Sequence, residues 1–291
     1  MRASAANPRI PRTMRTPLPI TVVIPVRDEA RNLAECLPRL ARYAEVVVVD
    51  SGSTDGSRQV AESAGARWVE FRWDGRFPKK RNWFLRQGPI RTPWVLFLDA
   101  DELVDDAFGD ELERTLPGTP HSAFWLHYDN WFLGRRLRHG EGNRKLALMR
   151  VGAGEYERID EDRWSDLDME VHEHPVVAGT VGEIVARLEH RDIRGFSQWL
   201  RKHDAYSTWE AHRAERLRAG GPAAMASLTA RQRRKYASLG AWWLPPLYFA
   251  RTYMLMRGFL DGYAGFAYAM AKAIYFWQVG VKIRELRAGR A

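Results

Sequence analysis

Cysteine is almost missing from this 291-residue chain: Cys36 stands alone. No internal disulfide can form, and no thiolate cage can hold a metal. Such usage fits a reducing cytoplasm. Two nucleotide-binding signatures are absent as well. Neither a G-x-G-x-x-G turn nor a Walker lysine loop occurs, which argues against dinucleotide and P-loop chemistry. Long apolar runs are lacking. Residues 258–281 come nearest to a span, but Asp261 and Lys272 interrupt them, and Gly258, Gly262 and Gly265 weaken the helix. The N-terminus has Arg2, Arg9, Arg12 and Arg15 with several prolines and no apolar stretch behind them. It does not read as a cleaved leader, and residues 1–18 are expected to form a disordered arm. There is no fixed-period repeat. Acid is scarce in the last third, where residues 191–291 carry 18 Lys/Arg against 6 Asp/Glu, while the rest of the chain carries 27 against 30. That basic part is expected to meet something anionic: a membrane surface, a phosphorylated acceptor or nucleic acid.

What is present is a globular composition, 45% hydrophobic and 28% charged. Residues 20–25 and 46–50 are apolar, β-branched runs. Between them Leu33, Cys36, Leu37 and Leu40 recur at helical spacing. This predicts a β-α-β unit with a right-handed crossover. Helices over 57–64 and 80–87 and strands over 67–71 and 94–98 continue the alternation. The expected fold class is therefore α/β, an open, mostly parallel sheet flanked by helices, with ligands at the carboxyl ends of its strands. From residue 196 the texture becomes helical, basic and aromatic, over 196–218, 244–256 and 258–281. An amphipathic extension in a membrane interface fits this stretch, and a core-packed helical subdomain fits it nearly as well.

The densest chemistry lies at strand ends. The 94–98 strand runs into Asp99-Ala100-Asp101-Glu102. Two carboxylates two residues apart there can approach one hard cation, and such a cation neutralises a leaving diphosphate. The first strand closes on Pro25-Val26-Arg27-Asp28-Glu29, the second on Asp50-Ser51-Gly52-Ser53-Thr54-Asp55-Gly56. Asp50 suits hydrogen bonds from a base or ribose. Asp55 and Ser53 suit either a ligand or a helix cap. Lys79-Lys80-Arg81-Asn82 offers cations for phosphate, or else a solvated face.

These motifs, V-V-I-P-V-R-D-E, V-D-S-G-S-T-D-G-S, K-R-N and F-L-D-A-D-E in this order, resemble the family-2 glycosyltransferases of GT-A fold over residues 21–102. Val171-His172-Glu173 and the aromatic, basic tail resemble its lipopolysaccharide-core β-1,4-glucosyltransferase branch. The resemblance implies a GT-A catalytic domain over residues 19–195, with a membrane-proximal extension over 196–291. It implies an inverting, metal-dependent transfer of a hexose, glucose first, from a UDP-sugar to a lipid-linked saccharide. The setting implied is the cytoplasmic face of a membrane, with no nucleic acid partner. Pro25, Asp28, Glu29, Asp50, Ser51, Asp55, Lys79, Arg81, Asp99 and Ala100 would then surround the donor. Asp101, with Asp99 and His172, would hold Mg2+ or Mn2+, and His190 is a further candidate for metal or diphosphate.

The reaction needs a carboxylate to take the acceptor hydroxyl proton. In the family this base lies in a later Glu-Asp pair. Glu161-Asp162 has those letters, but its polar stretch reads as surface. The expected base is Glu173, with Glu170 as the alternative. Two other readings compete. A nucleotidyltransferase would want a glycine-rich basic loop after the first strand. A non-catalytic binder of nucleic acid or membrane would suit the tail, but it leaves the acid pair without a role.

Overall fold

The computed structural model describes residues 16–161, 164–170 and 173–289. Residues 1–15 of the expected arm lie outside the described residues, and the first strand, β1 (Leu18–Val26), starts at the arm's last position. The alternation then proceeds through α1 (Ala30–Cys36), β2 (Tyr43–Asp50), α2 (Ser57–Ser63), β3 (Arg67–Glu70), α3 (Lys80–Gln87) and β4 (Trp94–Phe97). Next come β5 (Glu102–Leu103), α4 (Asp106–Thr115), β6 (Ala123–Phe132), β7 (Arg135–Arg136), β8 (Asn143–Arg150), β9 (Gly154–Tyr156), β10 (Pro175–Val177) and β11 (Val181–His190). The helical spacing runs on to Leu40, but α1 ends at Cys36. Pro38 lacks the N–H that would continue the ladder, and the chain tightens into a 3-10 turn, Leu37–Leu40.

The main sheet has the order β3-β2-β1-β4-β8-β6-β11-β5, with β7 beside β6. Strands β1 to β4 run parallel, β8 lies antiparallel between β4 and β6, and β11 is parallel to β6. The carboxyl ends of β1, β2, β4, β6 and β11 therefore share one edge with the amino end of β8. Both faces of the sheet are covered. Ile20, Val22 and Ile24 of β1 pack on α1, α2 and α4 through Leu33, Ala61 and Phe108. Val23 points the other way and joins Val47, Val95 and Phe84 of α3. This is the period-2 pattern of a strand buried on both sides, and the open, mostly parallel sheet flanked by helices is the fold class expected.

The rest of the chain is helical: α5 (Phe196–Ala219), α6 (Gly221–Ala226), α7 (Ala230–Ser238), α8 (Leu244–Phe249) and α9 (Gly262–Arg287). The helix expected over 244–256 becomes α8 followed by a π turn, Ala250–Leu255. A 3-10 turn, Gly258–Asp261, precedes α9. Gly265 has a packing reason, since a Cβ there would run into the Gly258 carbonyl. One side of α9 packs on α5 through Ala211, Tyr275, Val279 and Ile283, and its other side is exposed.

Candidate active site

The loops after β1 and β2 are stitched to each other by carboxylates. Asp50 is buried, and its carboxylate accepts from Gly52 N at 2.8 Å and Ser53 N at 3.0 Å. Asp28, in the left-handed region at φ 55°, accepts from Thr54 N at 2.7 Å. Asp55 accepts from Ala30 N at 3.0 Å and Ser57 N at 2.9 Å, so it serves the first turns of both α1 and α2. Slight burial opposes its charge, but the bonds from Ser57 and Ala30 prevail and hold the carboxyl below its usual range. The helix-capping role weighed for Asp55 is thus the one seen here. Pro25 lies past the last β1–β4 pair, Val23–Phe97, where a missing N–H breaks no ladder. Ser51 presents a buried hydroxyl with no hydrogen-bond partner among the described residues.

The acid pair closes the same edge. Asp99 meets Arg81 at 2.5 Å and Lys145 of β8 at 2.6 Å. Burial opposes its charge, but Lys145 and Arg81 hold the carboxyl far below the usual range. Ala100 between the acids is buried. Asp101 is 6% exposed, 3.2 Å from Lys202 of α5 and 3.7 Å from His190 Nε2. It too is held low, chiefly by Lys202 against burial. Glu102 turns inward onto Lys145 and the Tyr128 hydroxyl, and burial pushes its carboxyl up to about 7. Asp192 and Arg194, just past β11, pair at 2.7 Å, and Arg194 also reaches Glu29 at 2.7 Å.

Glu29 is pushed up to about 7 by burial, against the pull of Lys202 and Arg194. A carboxyl raised from 4.5 gives stability that is present below its unfolded pKa and lost as pH rises through 7. In metal-free buffer, Glu29→Gln is therefore expected to narrow the stability difference between pH 5 and pH 8 by on the order of 2 kcal/mol. Urea unfolding at the two pH values checks this, and an unchanged difference contradicts it.

The cluster Lys79-Lys80-Arg81-Asn82 is not a solvated face, because all four residues are buried. Lys80 donates to the Val26 carbonyl at 2.8 Å. Lys79 pairs with Glu161 and lies 3.3 Å from Glu173, between the rings of Trp73 and Trp209. The expectation that Glu161 is a surface residue is corrected: it is 2% exposed and also accepts from Trp209 Nε1 at 2.6 Å and Ser165 Oγ at 2.8 Å. Trp209 lies 48 residues further along the chain, and Lys79 lies far back in the other direction. A stretch read locally gives no sign of cations and rings that arrive from so far away.

Glu170 puts both oxygens on the first turn of α3, accepting from Arg81 N at 2.9 Å and Asn82 N at 3.0 Å. It acts here as a cap lent by a distant segment. Glu173 is 6% exposed, and burial raises its carboxyl against the opposing charge of Lys79. Val171, His172 and Asp162 lie outside the described residues.

Sequence reasoning missed Lys145, Arg194 and Lys202. The last two follow the end of β11, and the rule that strand ends line the crevice was their available signal. Lys145 had none, since one lysine at the start of a strand looks like any solvated residue.

His190 Nδ1 lies 3.3 Å from Asn130 Oδ1, an amide oxygen that accepts from a proton on Nδ1. Burial lowers the imidazole pKa against the pull of Asp101, and in the tautomer that donates to Asn130 the Nε2 lone pair faces the Asp101 carboxylate. Two electron-rich atoms facing each other fit a shared cation, and the second-shell bond from Nδ1 is the usual support for such a ligand. Among the described residues no group of three or more His, Cys, Asp or Glu is preassembled around a metal. A cation at Asp101 and His190 would take its remaining ligands from substrate or water.

Residues 21–158 match the model of glycosyl transferase family 2. The lipopolysaccharide core biosynthesis glycosyltransferase LpsC of Rhizobium meliloti is 29% identical, covering 94% of this chain and 95% of that one. Glycosyltransferase AglJ of Haloferax volcanii is 37% identical over 30% of this chain and 29% of its own length. Among solved structures, S. aureus TarS 1–349 aligns over 93% of this chain and 91% of that chain, at 12% identity and a TM-score of 0.41. Glucosyl-3-phosphoglycerate synthase from Mycobacterium tuberculosis, in complex with Mn2+, UDP and glucosyl-3-phosphoglycerate, aligns over 70% and 80%, at 16% identity and the same TM-score of 0.41. The stitched β1 and β2 loops, the acid pair at the end of β4 and the family match all fall in the same stretch of sequence, and residues 21–158 of the chain form a glycosyl transferase family 2 domain.

Proposed function

We propose that this glycosyltransferase moves a hexose, glucose first, from a UDP-sugar to a hydroxyl of a lipid-anchored saccharide. Lipopolysaccharide core or a polyprenyl-linked glycan is the acceptor class, and the cytoplasmic face of the membrane is the setting. The observation that carries the reading is the acid pair Asp99 and Asp101 at the common edge of the sheet, ringed by Arg81, Lys145, Lys202 and Arg194. Carboxylates and cations interleaved in this way suit a diphosphate that arrives with a divalent cation. The unpartnered Ser51 hydroxyl, at the end of β2 on the same edge, supports a nucleoside contact. The likeness to LpsC along nearly its whole length supports the acceptor class.

Among the described residues, Asp101 and His190 are the ones that would hold Mg2+ or Mn2+; the set expected from sequence is Asp101, Asp99 and His172. Asp99 is engaged by two cations, and His172 lies outside the described residues. When bound, the cation supplies charge neutralisation for the departing diphosphate. Lys202 and Arg194 lie within reach to share that charge. Glu173 takes the proton from the acceptor hydroxyl. The hydroxyl oxygen then bonds to the anomeric carbon as the bond to the diphosphate oxygen breaks, with inversion. Burial raises the Glu173 carboxyl toward a proton affinity useful to a base.

Glu173→Gln keeps the size of the side chain and removes the base. Donor binding is expected to stay within a few-fold of wild type while kcat falls by about 10²–10⁴-fold. Equal turnover in the variant removes Glu173 from the role, and a Glu161→Gln variant that loses turnover while still binding donor reassigns it.

A further inference from the structure

Twelve of the nineteen large apolar side chains that stand exposed among the described residues fall between Trp242 and Trp277. Exposure is therefore gathered in one segment and not scattered, which marks a site of interaction. On α9 the exposed large apolar residues are Tyr263, Phe266, Met270, Ile274 and Trp277, spaced three and four apart along one stripe. The opposite side of α9 is buried through Ala264, Tyr275, Val279 and Ile283. A helix apolar on both sides belongs in an apolar setting on both, and protein covers only one. The turns before α9 extend the stripe with Met254, Leu255, Phe259 and Leu260, of which Leu255 is 79% exposed. Phe249, Tyr253 and Phe266 join the two parts, with ring centroids 5.3–5.9 Å apart.

Charge selects what covers this face. Between residues 242 and 277 the exposed charged side chains are Arg251 and Arg257. The sole acid of that stretch, Asp261, turns inward, its side chain 6% exposed. An outward face that is apolar and cationic complements anionic headgroups above acyl chains. Glu141, from outside this stretch, pairs with Arg251 at 3.4 Å, and within residues 242–277 a second copy would bring no exposed acid to Arg257. No helix among the described residues is long and apolar enough to cross a membrane, so the face would lie in the interface and not span it.

We propose that this face is a docking surface for an anionic lipid bilayer, and that Asp261 couples it to the catalytic edge. The Asp261 carboxylate accepts from Arg138 N at 3.1 Å and His139 N at 2.8 Å, and Gly140 N donates to the Met256 carbonyl at 3.0 Å. These bonds hold one wall of a cavity of about 280 Å³, whose lining includes Asn130, Arg136, Arg138, Arg187 and Tyr268. Asn130 is the residue that orients His190. Docking thus brings to the lipid surface a polar cavity beside the catalytic edge, in which Asp129 pairs with Arg136 and Arg187. The use of that cavity by the acceptor rests on the function proposed above, whereas the docking itself does not.

The test is co-sedimentation of the full chain with vesicles of phosphatidylcholine alone and of phosphatidylcholine mixed with phosphatidylglycerol. The wild type is expected to sediment with the mixed vesicles, less so as salt rises. Leu255→Asp combined with Leu260→Asp is expected to lower the bound fraction at least about tenfold, since both side chains would carry charge into the interface. Arg251→Glu with Arg257→Glu is expected to cost at least about tenfold on the mixed vesicles only. Both pairs are exposed, so the variants should melt like wild type. No vesicle binding by the wild type overturns the proposal. So does vesicle binding that the variants leave unchanged, or a wild-type dimer that the Leu255→Asp pair splits. UDP-glucose titration of the same variants separates the two ideas: docking without donor binding removes the donor reading and leaves the surface in place.

Discussion

Asp101→Ala is expected to lower kcat/KM for sugar transfer by about 10²–10³-fold, on the order of 3–4 kcal/mol of transition-state stabilisation. The size follows from position. Asp101 is 6% exposed, lies 3.7 Å from an imidazole whose pKa burial lowers, and is paired at 3.2 Å with Lys202. Removing the carboxylate leaves Lys202 and His190 with no anion between them and takes away the one oxygen ligand paired with His190. Mn2+ affinity should fall with turnover. The paramagnetic signal of free Mn2+ in a titration of wild type and variant measures it directly. His190→Ala should share the defect, and the double variant should be little worse than Asp101→Ala, because two ligands of one cation act as a unit. An Asp101→Ala enzyme within about threefold of wild type would remove this carboxylate from catalysis.

The second large effect is on stability. Lys79→Met is expected to destabilise the fold by about 3–5 kcal/mol, because it leaves buried carboxylates without their cation. Lys79, Glu161 and Glu173 are 4%, 2% and 6% exposed, and the lysine is boxed by Trp73 and Trp209. Such a loss is a large part of a typical domain's total stability of about 5–15 kcal/mol. Urea unfolding at constant m-value reads it. Adding Glu161→Gln should recover part of the loss, since the interaction is mutual. The variant should also lose less at acidic pH, where the stranded acids take up protons. A loss below about 1 kcal/mol would mean that water or a rearranged side chain replaces the ammonium.

The first half of the fold is legible in the sequence because its signals are local. The apolar runs at 20–25 and 46–50 and the helical spacing of Leu33, Cys36, Leu37 and Leu40 need no distant partner to be read. The rule that ligands gather at strand ends then places Asp28, Asp50, Asp55, Asp99 and Asp101 on one edge. What each does at that edge is less legible. Asp50, Asp28 and Asp55 hold backbone N–H groups of neighbouring loops, and a carboxylate that orders a loop has the same sequence signature as one that meets a ligand. The capping role of Glu170 depends on α3, far away in sequence, and so does the burial of Glu161. A residue's own neighbours along the chain carry no trace of either. The tail's apolar, basic texture is plain, but only the packing of α9 on α5 separates its covered side from its bare one.

The most direct test of the donor site is calorimetric titration of UDP-glucose into the full chain, once with Mn2+ and once with the metal chelated. Saturable one-to-one binding is expected with Mn2+, weakened at least about tenfold by chelation. Asp101→Ala should reproduce that weakening when Mn2+ is present. Equal binding with and without metal would contradict the cation role given to Asp101 and His190. If neither UDP-glucose nor any other nucleotide sugar binds under either condition, the donor site read at the common edge of the sheet is wrong.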